Sequence, residues 1–120
     1  MSEQFIAALR GVEVGRTRST KISRGGENGL KFLLVHPLSA PLTLEEGVPL
    51  MKRIAGGMTT DAYWITSWLQ TNAEGKVVKV LCHWDATSAE AVRSAAQRLC
   101  PELPLEGVYP LTIVNSGDFR

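Results

Sequence analysis

The side chains best suited to chemistry in this chain stand together in the segment Cys82-His83-Trp84-Asp85. A thiol beside an imidazole could form an activated nucleophile, and an imidazole beside a carboxylate could form an acid–base pair or part of a metal site. Successive residues of a strand, however, point to opposite faces of a sheet. If this segment is a strand, Cys82 and His83 cannot act as a catalytic pair, and Cys82 is expected in the core.

Aromatic side chains surround this segment and suggest a pocket rather than a reaction. Three tryptophans in one half of a sheet could line an apolar pocket and supply N–H donors, with Ser67 as a further polar group. The predicted ligand site has six members: Tyr63, Trp64, Trp68, His83, Trp84 and Asp85. Strand alternation predicts that Trp64 and Trp68 share a face. The alternative is that the tryptophans fill the core or a subunit interface, and that Asp85 stabilises a helix N-terminus.

His36 is the only other histidine of the chain and the candidate metal ligand. It lies near the end of the first predicted strand, whereas His83 lies near the end of the third. These two strands are antiparallel neighbours in the topology derived below. The two histidines should then be more than about 10 Å apart, and a shared site would need a second subunit.

Composition excludes several classes of function. The 120 residues are 44% hydrophobic and 21% charged, with a net charge of +1, so no field favours nucleic acid. No apolar run approaches the length of a membrane span, so no membrane association is predicted. The first residues lack the pattern of a signal peptide, and Cys82 and Cys100 form no CxxC pair. These features predict a cytoplasmic protein with reduced, buried cysteines.

The hydrophobic pattern predicts six elements from residue 30 onward, in the order β-α-β-β-α-β. The predicted strands are Leu30–Leu38, which Pro37 ends, Ala62–Gln70, Lys76–Trp84 and Val108–Val114. Thr43 and Glu46 have capping-box spacing at the start of the first predicted helix, and Thr87 and Glu90 have it at the start of the second. Pro49 suggests that regular helix begins near that residue, and Gly56-Gly57 ends it. Residues 72–75, Asn-Ala-Glu-Gly, predict a hairpin turn.

This order predicts an α+β, ferredoxin-like domain at residues 30–120, preceded by a basic, Gly-rich N-terminal arm at residues 1–29. The arm could contain a short strand near Val12–Arg18. Pro110 fits the last strand at an edge of a four-stranded antiparallel sheet. Both helices should cover one face, yet the central strands are apolar on both sides. We therefore expect a homodimer that packs sheet to sheet as an α+β barrel, with the N-terminal arm as a competing cover.

The stretch VLCHWDATSAEAV resembles that of small ferredoxin-like bacterial proteins of unknown function, typified by a nickel-binding, nickel-responsive protein. The resemblance covers residues 30–114 and includes a first strand that ends in Val35-His36. It implies nickel as a possible cofactor, with His36 as the one counterpart of a family ligand. Pro37 stands where family members often carry an acidic residue. The last helix lacks the histidine that they often have there, so the metal site does not carry over as a set.

These observations predict a protein that binds a small ligand or a metal ion on the sheet face or at a subunit interface, without catalysis of its own. The first alternative is a cofactor-independent enzyme of the α+β barrel kind, a monooxygenase or isomerase. The second is a structural or protein-interaction module. No nucleophile elbow, phosphate-binding loop, dinucleotide fingerprint or zinc spacing is present in the sequence.

Overall fold

The computed structural model describes residues 29–120, so all but the last residue of the predicted N-terminal arm lies outside the described part. Residues 29–120 contain four strands: β1 (Leu30–Leu42), β2 (Ala62–Thr71), β3 (Val77–Ala86) and β4 (Gly107–Pro110). The same range contains two α-helices, α1 (Leu44–Gly56) and α2 (Ala89–Leu99), and a 3-10 helix at Ser116–Phe119. No helix within residues 29–120 is both long and apolar enough to cross a membrane.

The strands form one antiparallel sheet in the order β2-β3-β1-β4. This order, together with one helix after β1 and one after β3, confirms the predicted α+β arrangement of the ferredoxin-like kind. Pro110 is the last residue of β4, an edge strand, where its missing N–H costs no ladder hydrogen bond. The hairpin between β2 and β3 turns at Gly75, whose φ of 78° lies in the left-handed region that glycine tolerates.

Both helices pack against the same face of the sheet. The core cluster joins buried residues of the helices to alternate residues of the central strands. Its principal members are Phe32, Leu34, Ile54, Cys82, Trp84, Val92 and Leu99. We call this side of the sheet the helix-side face. The other side, the second face, carries the intervening residues of β1 and β3 and their cross-strand partners on the edge strands, which include Leu33, Leu81, His83, Asp85 and Tyr109.

A β-bulge in β2 corrects the prediction that Trp64 and Trp68 share a face. Trp64 pairs with Trp84, but the next paired residue of β2 is Thr66, opposite His83, so Ile65 is an extra residue. The extra residue reverses the alternation of the strand beyond it. Trp64 therefore lies on the helix-side face, whereas Trp68, which pairs with Leu81, lies on the second face.

β1 extends beyond its predicted end. Pro37 pairs with Lys79, and pairing resumes only at Leu42, opposite Val77, so the chain advances five residues on β1 and two on β3. The residues in between bow away from β3. Pro37 and Pro41 both lack a backbone donor, which is the physical reason that the ladder loosens there without ending.

The helix ends agree in part with the sequence signals. Thr43 and Glu46 form the predicted capping box, but α1 is regular from Leu44 onward, and Pro49 lies inside it. The N-cap of α2 is Ser88, whose hydroxyl accepts from the Ala91 N–H, so the capping box predicted at Thr87 and Glu90 is wrong. β4 is also shorter than the predicted strand at Val108–Val114.

Candidate functional site

An apolar cavity lies between α1 and the helix-side face of the sheet. Its free volume is about 50 Å³. Leucine, methionine and isoleucine side chains of α1 form its roof, and the sheet forms its floor. The roof residues are Leu44, Gly47, Leu50, Met51 and Ile54. The floor residues are Trp64, Ser67, Leu69, Val77, Val80 and Cys82, and Leu38, Leu42, Thr43 and Leu103 close the sides. We call this space the α1 cavity.

The irregular end of β1 and the composition of α1 together leave this space open. The bowed residues of β1 place Leu38 and Leu42 at the wall of the cavity. Gly47 has no side chain to fill the space beneath the first half of α1. By contrast, α2 buries four residues against the sheet, whereas Ile54 is the only fully buried residue of α1. The space under α1 therefore remains partly unfilled.

The polar atoms of the cavity floor form a chain of hydrogen bonds. The Trp64 indole Nε1–H donates to Ser67 Oγ at 2.9 Å, and the Ser67 hydroxyl donates to Cys82 Sγ at 3.1 Å. The bulge at Ile65 makes this chain possible, because it brings Trp64 and Ser67, three residues apart, to one face. In regular alternation these two side chains would lie on opposite faces.

Cys82 is a buried thiol rather than a nucleophile. Burial raises the pKa of Cys82 to about 12, although the hydrogen bond from Ser67 acts in the opposite direction. Cys100 is likewise a free, buried cysteine, and burial raises its pKa to about 11. Neither thiol is ionised at neutral pH, so neither is activated for attack.

A second polar cluster lies on the second face. His83 Nε2 is 3.1 Å from Asp85 Oδ1, and the Lys31 ammonium is 3.4 Å from the same oxygen. Burial alone would raise the pKa of Asp85, but the hydrogen bond with His83 and the charge of Lys31 outweigh it, and the pKa is lowered. The other ring nitrogen, His83 Nδ1, is buried and has no hydrogen-bond partner within residues 29–120. In this part of the chain the carboxylate holds the histidine at one nitrogen only.

The sheet divides the six predicted ligand residues into two groups. Tyr63, Trp68, His83 and Asp85 lie on the second face, because each pairs with a residue of that face. Trp64 and Trp84 lie on the helix-side face. Trp64 lies on the opposite face of the sheet from Trp68 and His83, so these three side chains do not meet on one face. Trp84 is 1% exposed, and its Nε1 has no partner in the described part of the chain.

His36 occupies an interior position rather than a strand end. It pairs with Val80, whereas His83 pairs with Leu33, so the two imidazoles are three residues apart along the sheet and on opposite faces. His36 Nδ1 is 3.0 Å from the carbonyl oxygen of Pro104, and burial lowers the pKa of this histidine. Residues 29–120 contain no group of three or more His, Cys, Asp or Glu side chains that could hold a metal ion.

The sequence indicates Ser67 only as a further polar group near the tryptophans, and it does not indicate the roof of the cavity. The signal for Ser67 depends on the bulge at Ile65, which alternation alone does not reveal. The signal for the roof was present as Gly47 and Pro49, two poor helix formers within three residues of α1. Such a pair inside a helix indicates a segment whose helical order depends on its surroundings.

Comparisons with known proteins identify no relative of this chain. No family model matches it, no curated protein matches it, and no solved structure matches it. The structure itself defines the class of this protein as an α+β domain with a four-stranded antiparallel sheet and an apolar cavity under α1.

Proposed function

We propose that this protein binds a small organic molecule in the α1 cavity and that it does so without catalysing a reaction. The observation that carries this proposal is an unfilled apolar space above a chain of hydrogen bonds, Trp64–Ser67–Cys82. Binding pockets combine such an apolar lining with a few fixed polar atoms that orient the ligand.

The open space has an energetic cost that a ligand would offset. Protein interiors are close-packed, and few voids exceed the size of a water molecule. At about 24 cal/mol per Å³, a cavity of 50 Å³ lowers the free energy of unfolding by about 1 kcal/mol. A bound molecule recovers that contact energy, and a larger residue at Gly47 would recover it permanently.

The pair His83–Asp85 is the observation that favours the enzyme alternative, since a carboxylate that holds an imidazole is a common acid–base arrangement. Both side chains are nearly inaccessible, however, at 3% and 4% exposure. A substrate could not reach His83 Nδ1 without displacement of whatever covers it. The α1 cavity needs no such displacement for a very small ligand, so we favour binding over catalysis.

The proposal includes the association of two copies through the second face. Tyr63 and Tyr109, on opposite edge strands, are 47% and 41% exposed there, and partly exposed Leu33 and Leu81 lie between them. A second copy would cover this apolar and aromatic strip. Light scattering at tens of micromolar should give the mass of a dimer. A monomeric mass would contradict this part of the proposal and leave the cavity proposal intact.

Nickel binding at His36 stays a prediction. The carbonyl of Pro104 engages one ring nitrogen, so only Nε2 could bind a metal, and residues 29–120 contain no group of three or more His, Cys, Asp or Glu side chains that would complete the site. Titration of the wild-type protein and of His36→Ala with Ni²⁺ tests it by calorimetry. A site lost in the variant supports the prediction, and equal titration curves contradict it.

The binding proposal is tested with a fragment library, screened by ligand-observed NMR against three forms of the protein. Gly47→Leu places a side chain at the roof of the cavity. Gly56→Leu is the matched control, because the same change at the end of the same helix points into open space. We expect fragments that bind the wild type and the control but not Gly47→Leu.

Two results would contradict the binding proposal. One is the absence of any fragment that binds the wild type. The other is binding that Gly47→Leu leaves unchanged, which would put the site elsewhere. Circular dichroism checks that Gly47→Leu is folded; if it is not, Val80→Leu fills the same cavity from the floor.

A further inference from the structure

The cavity under α1 also restricts the chemistry of its ligand. We infer, on the basis of the proposed function, that the α1 cavity takes an uncharged, mainly hydrocarbon molecule with a single hydroxyl group, and that the N-terminal half of α1 moves to admit ligands larger than the cavity.

The exclusion of charge follows from the lining. Among residues 29–120, every residue that lines the cavity is apolar or uncharged, and the only ionisable group of this lining is the Cys82 thiol. A carboxylate or ammonium group inside would lose its hydration without an opposite charge to replace it, which costs several kcal/mol. A hydrocarbon chain has no polar hydration to lose on entry and gains contact with the leucine side chains of the roof.

The preference for a hydroxyl group follows from the hydrogen bonds that the floor leaves open. A serine hydroxyl has one donor and two acceptor sites. Ser67 uses its donor on Cys82 and one acceptor site on Trp64, so one acceptor site remains. The Cys82 S–H remains as a weak donor. A ligand hydroxyl can donate to Ser67 and accept from Cys82, whereas a ketone or ether can only accept.

The size of the cavity makes the roof part of the binding mechanism. About 10–15 Å³ of free volume holds one water-sized group, so 50 Å³ admits about four such groups. A longer ligand needs displacement of a wall. The C-terminal half of α1 is fixed: Ile54 is buried, and the Arg53 guanidinium donates to the Leu99 carbonyl at 2.9 Å and pairs with Glu102.

Within residues 29–120, no such anchor holds the N-terminal half of α1. Leu44 and Val48 are 43% and 41% exposed, and the capping box at Thr43 joins only residues of the helix start itself. Gly47 and Pro49 weaken the helix in this half by the loss of propensity and of one backbone hydrogen bond. Segments that open to admit ligands come from such low-stability regions.

The test uses four series of probes with matched carbon chains: 1-alkanols from propanol to octanol, methyl ketones, alkanoates and alkylammonium ions. Binding is followed at the indole N–H signals in two-dimensional NMR. Trp64 lies in the cavity floor, and Trp68, on the second face, is the internal control. We expect the alkanols to shift Trp64 but not Trp68, with affinity that rises about fourfold for each methylene until the chain outgrows the site.

The alkanoates and alkylammonium ions should bind at least a hundredfold more weakly than alkanols of equal length at pH 7. Ser67→Ala should remove the preference for alkanols over ketones. Pro49→Ala, which strengthens the roof, should slow the exchange of 1-hexanol and leave that of 1-propanol unchanged. If Pro49→Ala changes the exchange rates of the two alcohols to the same extent, or changes neither rate, the inferred role of the roof is wrong.

The outcomes separate the two proposals. Charged probes or ketones that shift Trp64 as strongly as the alkanols would overturn the inferred ligand chemistry and leave binding in the cavity in place. If no probe of any series and no library fragment shifts Trp64, the proposed function itself is wrong.

Discussion

The close approach of α1 to α2 at Gly57 predicts a large difference between two neighbouring glycine substitutions. A Cβ atom at Gly57 would lie 3.1 Å from Leu99 Cδ1 and 3.2 Å from Leu99 Cγ, and closer still to Cδ2. A Cβ at Gly56 would meet nothing within 4 Å. Gly57→Ala must therefore push Leu99, a side chain that is 7% exposed, out of its place in the core.

Overpacking of this kind costs about 1–3 kcal/mol, and the lower entropy of the unfolded chain returns at most about 1 kcal/mol on replacement of glycine by alanine. We expect Gly57→Ala to lower the free energy of unfolding by about 1–2 kcal/mol. Gly56→Ala, with the same entropic gain and no contact, should leave it unchanged or raise it slightly. With a urea m-value of about 2 kcal/mol/M, the two midpoints should differ by roughly 0.5–1 M.

The assay is urea unfolding followed by tryptophan fluorescence and by circular dichroism, with both variants measured beside the wild type. Equal midpoints for Gly56→Ala and Gly57→Ala would refute the contact between Gly57 and Leu99.

Three further predictions concern the two polar clusters and the roof. Ser67→Ala should lower the free energy of unfolding by about 2 kcal/mol, because it leaves the Trp64 N–H and the Cys82 thiol without their partner. Ser94→Ala, at an exposed position, is the control. Equal urea midpoints for the two variants would contradict this prediction. Asp85 has a lowered pKa in the folded state, so its contribution to stability is present above its unfolded pKa of about 3.9 and is lost as the pH falls through the lower folded value. Asp85→Asn should therefore reduce the fall in the free energy of unfolding as the pH is lowered. An unchanged fall would show that this carboxyl is not the group responsible. Pro49→Ala should raise the free energy of unfolding by about 1–3 kcal/mol by restoring a helix hydrogen bond, and a thermal midpoint equal to that of the wild type would contradict it.

The sequence predicts the order of elements well because each boundary has a local physical signal. The turn at Asn72–Gly75 requires a left-handed residue, and Gly75 supplies it. The capping box at Thr43 marks the start of α1, and Pro110 restricts the last strand to an edge. With these signals the split order of strands leaves little choice of topology.

The division of residues between the two faces could not be predicted in the same way. A single extra residue, Ile65, reverses the alternation of β2 and separates Trp64 from Trp68. The stability of a bulge depends on pairing with β3 and on core packing, which are not local properties of the strand. Where the local rule did apply, as at Cys82 and His83, the predicted opposite faces are confirmed.

The helix start at Ser88 shows a smaller failure of the same kind. Thr87 and Ser88 are both good N-cap residues, and only Thr87 has a glutamate at the capping-box distance. The Thr87 N–H instead donates to the Asp61 carbonyl, just before β2. This hydrogen bond holds Thr87 beside the start of β2, so α2 begins one residue later. A tertiary hydrogen bond thus decides between two equivalent local signals.

The central claim is that an apolar, ligand-accessible cavity lies between α1 and the sheet. Crystals of the protein exposed to xenon under pressure test this most directly, because xenon enters apolar cavities without any polar contact. We expect a xenon site in contact with Leu50 of α1 and Val80 of β3. A derivative in which xenon occupies other positions, and this space is filled by side chains, would contradict it.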